Sequence, residues 1–240
     1  MAAPDRPQDH QPAYVLHTRP YRETSLLVEI FAREQGRLAL VARGARRPRS
    51  PVRGLLQPFQ PLRLSWFGKG EVRTLKQAEW QGGQLPLRGP ALMCGFYLNE
   101  LLLRLLPRED PHPVLFEHYQ SALRALGEGA AAAPVLRRFE KALLRELGYA
   151  LVLEHEAMSD TPIDPDAFYV YRPEHGPVRA EKGSGGVQLR GSTLLALARD
   201  DYSDPLALAE AKQLMRLLIA HQLGGESLQT RQFLMDLQEL

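Results

Sequence analysis

The chain has one cysteine, Cys94, in 240 residues. A lone thiol excludes an internal disulfide and a Cys-rich zinc site, and it fits a reducing cytoplasmic compartment. No apolar run approaches the ~20 residues of a membrane span. The N-terminus, MAAPDRPQDHQP, has no apolar stretch and carries two aspartates, so it does not read as a signal peptide. Residues 1–11 read instead as a disordered lead-in. Enzymatic signatures are missing as well. Lys182-Gly183-Ser184-Gly185-Gly186 lacks the third glycine of GxGxxG and the Gly-Lys-Ser/Thr ending of a Walker loop. His155-Glu156 is followed by Ser159 where a zinc-protease helix needs its second histidine, and no serine sits in a GxSxG elbow. Asp164/Asp166 and Asp200/Asp201 fall in loops without a companion cluster, where they read as turn and cap residues. His17 and His175 have no evident partner. These gaps predict a protein that is not an enzyme and holds no cofactor and no metal.

One absence is local. From Arg43 to Arg53 the chain reads RGARRPRSPVR, with five arginines and no acidic residue. Burying unpaired guanidinium groups costs several kcal/mol each, so these face water or an anionic partner. The net charge of +2 conceals the asymmetry. Residues 1–80 contain 14 Lys+Arg against 7 Asp+Glu, and the remaining 160 contain 16 against 21. A basic module joined to an acidic body points to a polyanionic partner. The competing account is an unevenly charged solvated surface, but it does not explain why the arginines gather in one loop.

Period-2 alternation places about five short strands in the first 80 residues. Tyr14-Val15-Leu16 opens the first, which Pro20 is expected to interrupt by removing a ladder donor. Residues 25–31 and 37–42 follow, with Glu34-Gln35-Gly36 as the turn. Residues 59–67 and 71–80 complete the set across the Gly68-Lys69-Gly70 turn. Such a set suits a small closed barrel, an OB-fold first and an SH3-like barrel as the alternative. After Pro86 and Pro90 the texture is helical. Ala91–Leu106 has a core face at Leu98, Leu101, Leu102 and Leu105; Val114–Leu126 follows. Gly127-Glu128-Gly129 and four alanines read as a flexible connection to a helix over Val135–Leu147, with Pro134 in its first turn and Gly148 as its stop. Residues 155–190 read as irregular, with one possible strand at 167–171. Ser192 is expected to cap a short helix ending near Arg199. Asp204-Pro205 starts a longer helix reaching about Leu223, and Thr230–Leu240 adds a last turn or two. The predicted fold class is α+β, an all-β domain followed by an all-α one. Its parts are an OB-fold domain over 12–82 and a helical domain over 83–240, with an irregular cysteine-free insert at about 153–190.

A basic loop on a small barrel with aromatics nearby suits nucleic acid, because cations track phosphates while rings stack on bases. Arg19, Arg22, Arg43, Arg46, Arg47, Arg49, Arg53, Lys69, Arg73 and Lys76 supply the charge. Tyr21, Phe59, Trp66 and Phe67 are candidate platforms, with core packing the competing role for Phe59 and Trp66. No base-reading pattern is present, so little sequence preference is expected. A non-sequence-specific RNA-binding OB protein is the alternative reading; it would not need the acidic helical body.

Several motifs carry a more specific likeness. YVLHTRPYRETS at 14–25, GRLALVARGARR at 36–47, LQPFQP at 56–61 and GEVRTL at 70–75 resemble the RecO family of bacterial DNA repair and recombination mediators. The likeness continues in YLNEL at 97–101, LRRFE at 136–140 and LGY at 147–149, and weakens beyond about residue 155. It implies binding to single- and double-stranded DNA, annealing of complementary strands, and help in loading recombinase onto DNA coated by single-strand binding protein. It also implies RecR and the acidic tail of single-strand binding protein as partners, and work at the nucleoid. Some members carry a four-cysteine zinc finger; here residues 153–178 have no cysteine, so that finger is lost and a small strand pairing must hold the segment. Arg137 and Arg138 are read as lying off the apolar stripe of Leu136, Phe139, Leu143, Leu144 and Leu147. A solvated helix face is the plain account of them. The resemblance makes them candidates to dock the acidic tail, whose carboxylates Arg can hold in bidentate fashion.

Overall fold

A computed structural model describes residues 8–181 and 184–230. The chain forms two compact units, Met1–Ala130 with Gln229–Leu240, and Ala131–Leu228.

The first unit is built on a closed barrel of β1 (Gln8–Tyr21), β2 (Ser25–Ala32), β3 (Gly36–Ala42), β4 (Leu62–Phe67) and β5 (Val72–Trp80). Strand order around the barrel is β1-β2-β3-β5-β4, with β3 and β5 parallel and the other pairs antiparallel. This is an OB-type barrel. β1 closes it by pairing with β4 up to Ala13 and with β2 from Ala13 onward. Two irregularities in its register, at Gln8/Gln11 and Val15/His17, bend it between the two partners. Residues 8–11, expected in the disordered lead-in, are thus part of a strand; residues 1–7 lie outside the described residues. Pro20 does not interrupt β1 either. It pairs opposite Leu26 where β1 has a neighbour on one side only, and an edge tolerates a missing N–H. Val15, Val28, Ile30, Leu38, Leu40, Leu62, Leu64 and Trp66 fill the interior.

Helices α1 (Pro90–Leu105) and α2 (Pro113–Gly127) belong to this unit. Each carries a proline in its first turn, where the missing donor costs nothing. α1 buries Leu98, Leu101 and Leu102 as its spacing predicts, whereas Leu105 is half-buried. Asn99, also buried, donates from its amide to the Leu16 carbonyl at 2.8 Å and accepts from the Tyr119 hydroxyl at 2.6 Å. Around it Tyr14 lies 5.5 Å from Phe116 and 5.2 Å from Tyr119, ring to ring. Burial pushes the Tyr119 hydroxyl well above the ordinary phenol range. The α1–α2 connection runs across the β2–β3 turn, where the Glu109 N–H donates to the Arg37 carbonyl at 2.9 Å. Glycine is required at position 36, with φ at 67°, because a Cβ there would meet the Asp110 carbonyl oxygen at 1.9 Å.

The second unit contains α3 (Ala132–Glu146), a three-stranded sheet of order β7-β6-β8, and helices α4 (Gly191–Ala198) and α5 (Pro205–Gln222). The sheet strands are β6 (Phe168–Arg172), β7 (Gly176–Arg179) and β8 (Gln188–Arg190), so the segment expected to be irregular is more ordered than its Pro, Asp and Gly content suggested. Tyr169, Tyr171 and Leu189 from the sheet share a core with Leu144, Leu194, Leu197, Leu214 and Met215. Burial pushes the Tyr171 hydroxyl up to about 12, partly offset by the hydrogen bond it accepts from the Val152 N–H. Ser192 is not the cap of α4. The cap position falls on Arg190, and the Glu210 carboxylate accepts from the Arg190 N–H at 3.0 Å and from the Thr193 hydroxyl. Asp204 caps α5 as predicted, accepting from the N–H groups of Leu206 and Ala207. Residues 231–240, where a last turn was expected, lie outside the described residues.

Candidate nucleic-acid interface

The register of the barrel sorts the ten expected cations into two groups. Arg19 faces Leu27 across β1 and β2, and Leu27 faces Val41 across β2 and β3. Arg22 lies in the β1–β2 turn, and the arginine loop leaves from the end of β3. The loop is pinned to that turn by the Arg46 N–H, which donates to the Thr24 carbonyl at 2.9 Å. The loop is a succession of turns whose apolar residues face the barrel. Ala45 and Leu56 are buried in the core, with Val52 and Leu55 packed against it. That anchoring drives Arg43, Arg46, Arg47, Arg49 and Arg53 outward, and all five are exposed. Arg19, Arg22, Arg43, Arg46, Arg47, Arg49 and Arg53 therefore share one end of the barrel. Among the described residues, the side chains of Arg19, Arg43, Arg47, Arg49 and Arg53 form no ion pair and donate no hydrogen bond.

Lys69, Arg73 and Lys76 are placed differently. β3 and β5 run parallel with Ala39 beside Val72, so the Gly68–Glu71 turn carrying Lys69 lies toward the start of β3, away from the loop. Arg73 is tied to Glu109 at 3.2 Å and Lys76 to Asp9 at 3.2 Å. The candidate aromatics also divide. Trp66, 1% exposed, fills the barrel, and Phe59, 6% exposed, packs edge-on to Phe96. Neither offers a face to a ligand, so core packing is the outcome for both. Tyr21 is half-buried beneath the Arg22 guanidinium, 5.3 Å from the ring centroid. Phe67 is exposed on β4. Trp80, which the alternation pattern assigned simply to a strand, is 58% exposed, with its indole N–H donated to Gln60.

On α3, Arg137 departs from the sequence reading. It is buried, with its guanidinium paired to Glu140, whose side chain is fully buried. Only Arg138 is exposed; it lies over the Tyr202 ring at 5.3 Å. Burial first, and the neighbouring Asp200 second, raise the Tyr202 hydroxyl above the phenol range. Lys141 donates to the Leu197 carbonyl at 2.7 Å and pairs with Asp200 at 2.6 Å, so it satisfies the C-terminal end of α4. A cleft of about 230 Å³ in the same unit, floored by Leu144, Leu151, Tyr171 and Leu218, is lined by none of the expected site residues.

The acidic pairs behave as turn residues. Asp164 accepts from the Asp166 N–H at 3.0 Å, and Asp201 accepts from the N–H and hydroxyl of Ser203, which holds its carboxyl below the usual range. Among the described residues no three His, Cys, Asp or Glu side chains are grouped to hold a metal ion, and no helix is long and apolar enough to cross a membrane. Lys182 and Gly183 of the glycine-rich stretch lie outside the described residues.

The class the fold defines is the OB-type barrel protein, here with exposed arginines gathered at one end. Comparison with known proteins is more specific. The model of the family described as "Recombination protein O N terminal" matches residues 8–83, and that described as "Recombination protein O C terminal" matches 87–232. The chain is 55% identical over 235 residues to the DNA repair protein RecO of Nitrosospira multiformis, and 57% identical over 236 to that of Dechloromonas aromatica. It is 58% identical over 235 residues to that of Aromatoleum aromaticum, and each match covers 97% of both chains. The chain belongs to the RecO family of DNA repair proteins. The family boundary between 83 and 87 differs from the packing boundary at Ala130/Ala131, because α1 and α2 pack with the barrel.

Proposed function

We propose that this protein is a non-enzymatic mediator of DNA repair and homologous recombination in the cytoplasm, acting on nucleoid DNA. It binds single- and double-stranded DNA without sequence preference, anneals complementary strands, and helps load recombinase onto DNA coated by single-strand binding protein. The observation that carries this reading is the arginine loop, exposed, held by its apolar residues, and unopposed by carboxylates. Annealing needs no catalytic residue: a cationic surface screens the repulsion between two polyanions, and base pairing supplies the driving force. Lys69, Arg73 and Lys76 extend the surface, with Arg73 and Lys76 exchanging their carboxylate partners for phosphate. The experiment is annealing of complementary oligonucleotides coated with single-strand binding protein, with and without Mg²⁺. Accelerated duplex formation in both conditions, lost when Arg43, Arg47 and Arg49 become alanine, is expected. Mg²⁺-dependent degradation, or equal acceleration by the variant, overturns the reading.

RecR and the acidic tail of single-strand binding protein are the proposed partners, with Arg137 and Arg138 helping to dock the tail. The resemblance in LRRFE at 136–140 supports this, and Arg138 is exposed for it. Because Arg137 is paired with buried Glu140, alanine at 137 would remove an ion pair from the interior and mix a loss of stability with any loss of tail binding. The informative variants are therefore Arg138→Ala and Arg137→Lys, titrated with a labelled tail peptide while DNA binding is followed in parallel. Unchanged tail affinity in both variants refutes the assignment.

A further inference from the structure

We propose that the outer face of β1–β2–β3 at the arginine-loop end is a base-stacking track for an unpaired nucleic-acid strand, with Tyr21 as its platform and Arg46 as the residue that positions it. This rests on the DNA-binding reading above.

The strand register supplies the track. Thr18, Val28 and Leu40 form one row across the three strands, and Pro20, Leu26 and Ala42 another. Val28, Leu40 and Ala42 are core residues, so these rows point into the barrel. The intervening positions point outward: Arg19 with Leu27 and Val41, then Tyr21 with Ser25. Leu27 is buried, so Tyr21 and the half-buried Val41 are the open apolar surface here, rimmed by Arg19 and by Arg43, which directly follows β3. From Arg19 to Leu27 and from Val41 to Arg53 the only carboxylate is Glu23. Such a surface attracts a polyanion and leaves Tyr21 as the seat for a base. On β1, β2 and β3, Tyr21 is the aromatic residue that is not buried, since Tyr14 and Phe31 are enclosed; the exposed Trp80 ends β5, outside these three strands. Phe59 and Trp66 are buried, and Phe67 sits beside Thr74, toward the Gly68–Glu71 turn. The Arg22 guanidinium over the Tyr21 ring adds a second flat group, and guanidinium planes stack on bases as rings do.

Arg46 has a different task from its neighbours. Its Nη1 donates to the carbonyls of Arg22 at 3.4 Å and Glu23 at 3.3 Å, beside the 2.9 Å bond from its N–H to Thr24. These bonds hold the turn in which Arg22 adopts a φ of 52°, a conformation a non-glycine residue rarely takes unaided. Arg46 is thus a positioning residue that fixes the Tyr21–Arg22 stack. The track selects unpaired strands because the base faces of a duplex are already covered by their neighbours, whereas phosphate contacts serve both forms.

The test compares wild type, Tyr21→Leu, Tyr21→Phe and Arg46→Ala on a single-stranded oligonucleotide containing 2-aminopurine and on a duplex of equal length, across a salt series. Stacking on an aromatic residue implies that Tyr21→Leu lowers single-strand affinity roughly five- to a hundred-fold. The salt slope should stay unchanged, duplex affinity should stay within about twofold, and the fluorescence change on binding should disappear. Tyr21→Phe should retain wild-type behaviour. Arg46→Ala should resemble Tyr21→Leu, again without a change of slope. Wild-type single-strand affinity in Tyr21→Leu, an equal loss on the duplex, or a loss in Tyr21→Phe matching that of leucine overturns the platform. A slope reduced by about 0.7 in Arg46→Ala makes that residue a phosphate contact and overturns its positioning role. A wild-type protein that binds neither form overturns the functional reading itself, and this proposal with it.

Discussion

Replacing Arg43, Arg46, Arg47 and Arg49 together with alanine tests how many loop arginines meet phosphate. The side chains of Arg43, Arg47 and Arg49 have no partner among the described residues, whereas Arg46 is bonded to the β1–β2 turn. Three phosphate contacts are therefore lost, not four. Each contact contributes about 0.7 to the slope of log K against log salt on single strands, so the slope should fall by about 2. Between about 50 and about 200 mM salt, wild-type affinity should then drop roughly twentyfold more than that of the variant. On duplex DNA, at about 0.9 per contact, the slope should fall by about 2.7. The loss should be alike for oligonucleotides of different sequence, since phosphates carry no base information. Fluorescence anisotropy at four or five salt concentrations measures it. An unchanged slope refutes the assignment of the loop to phosphates. A loss confined to one sequence refutes its indifference to bases.

Three further outcomes follow from the fold. Asn99→Leu leaves the Tyr119 hydroxyl and the Leu16 carbonyl without Asn99 inside an apolar cluster, and should cost about 2–4 kcal/mol, a fall of roughly 4–16 °C in Tm by calorimetry. Gly36→Ala combines a left-handed backbone with a Cβ against the Asp110 carbonyl; a loss of about 2–5 kcal/mol in urea unfolding is expected, and wild-type stability would show that the α1–α2 connection does not rest on this turn. Chelators should alter neither stability nor annealing in the absence of added divalent ions, and elemental analysis of the purified protein should find no stoichiometric zinc; one zinc per chain would contradict the reading of residues 153–178.

Much of this was legible in local chemistry. Alternation at Leu38/Leu40 and Leu62/Leu64/Trp66 marks strands because the side-chain period is 2, whatever the partner strand. Prolines and glycines at helix ends act within one turn, so α1, α2 and α5 fall close to where the residues place them. The arginine loop was visible because five like charges without an acid cannot be buried in any fold. Where the sequence reading failed, the deciding contact came from far along the chain. Pro20 stays in β1 because β4 has already left that edge. Arg190 rather than Ser192 takes the cap position of α4, and Glu210 on α5 supplies the acceptors there. β7 and β8 form because β6 stands between them, although few of their residues favour strands.

The short strands, the helices and the cationic loop follow from the order of residues, because period, turn chemistry and charge density are properties of neighbours along the chain. Tertiary structure alone decided which cations are free and which aromatics can stack. Arg137 and Arg138 are adjacent, yet one is buried against Glu140 and the other exposed over Tyr202. Tyr21 and Trp66 are both strand aromatics, yet the barrel encloses Trp66 and turns Tyr21 outward beside Arg22. Burial and pairing depend on partners brought together by folding, and no local pattern encodes where those partners will lie.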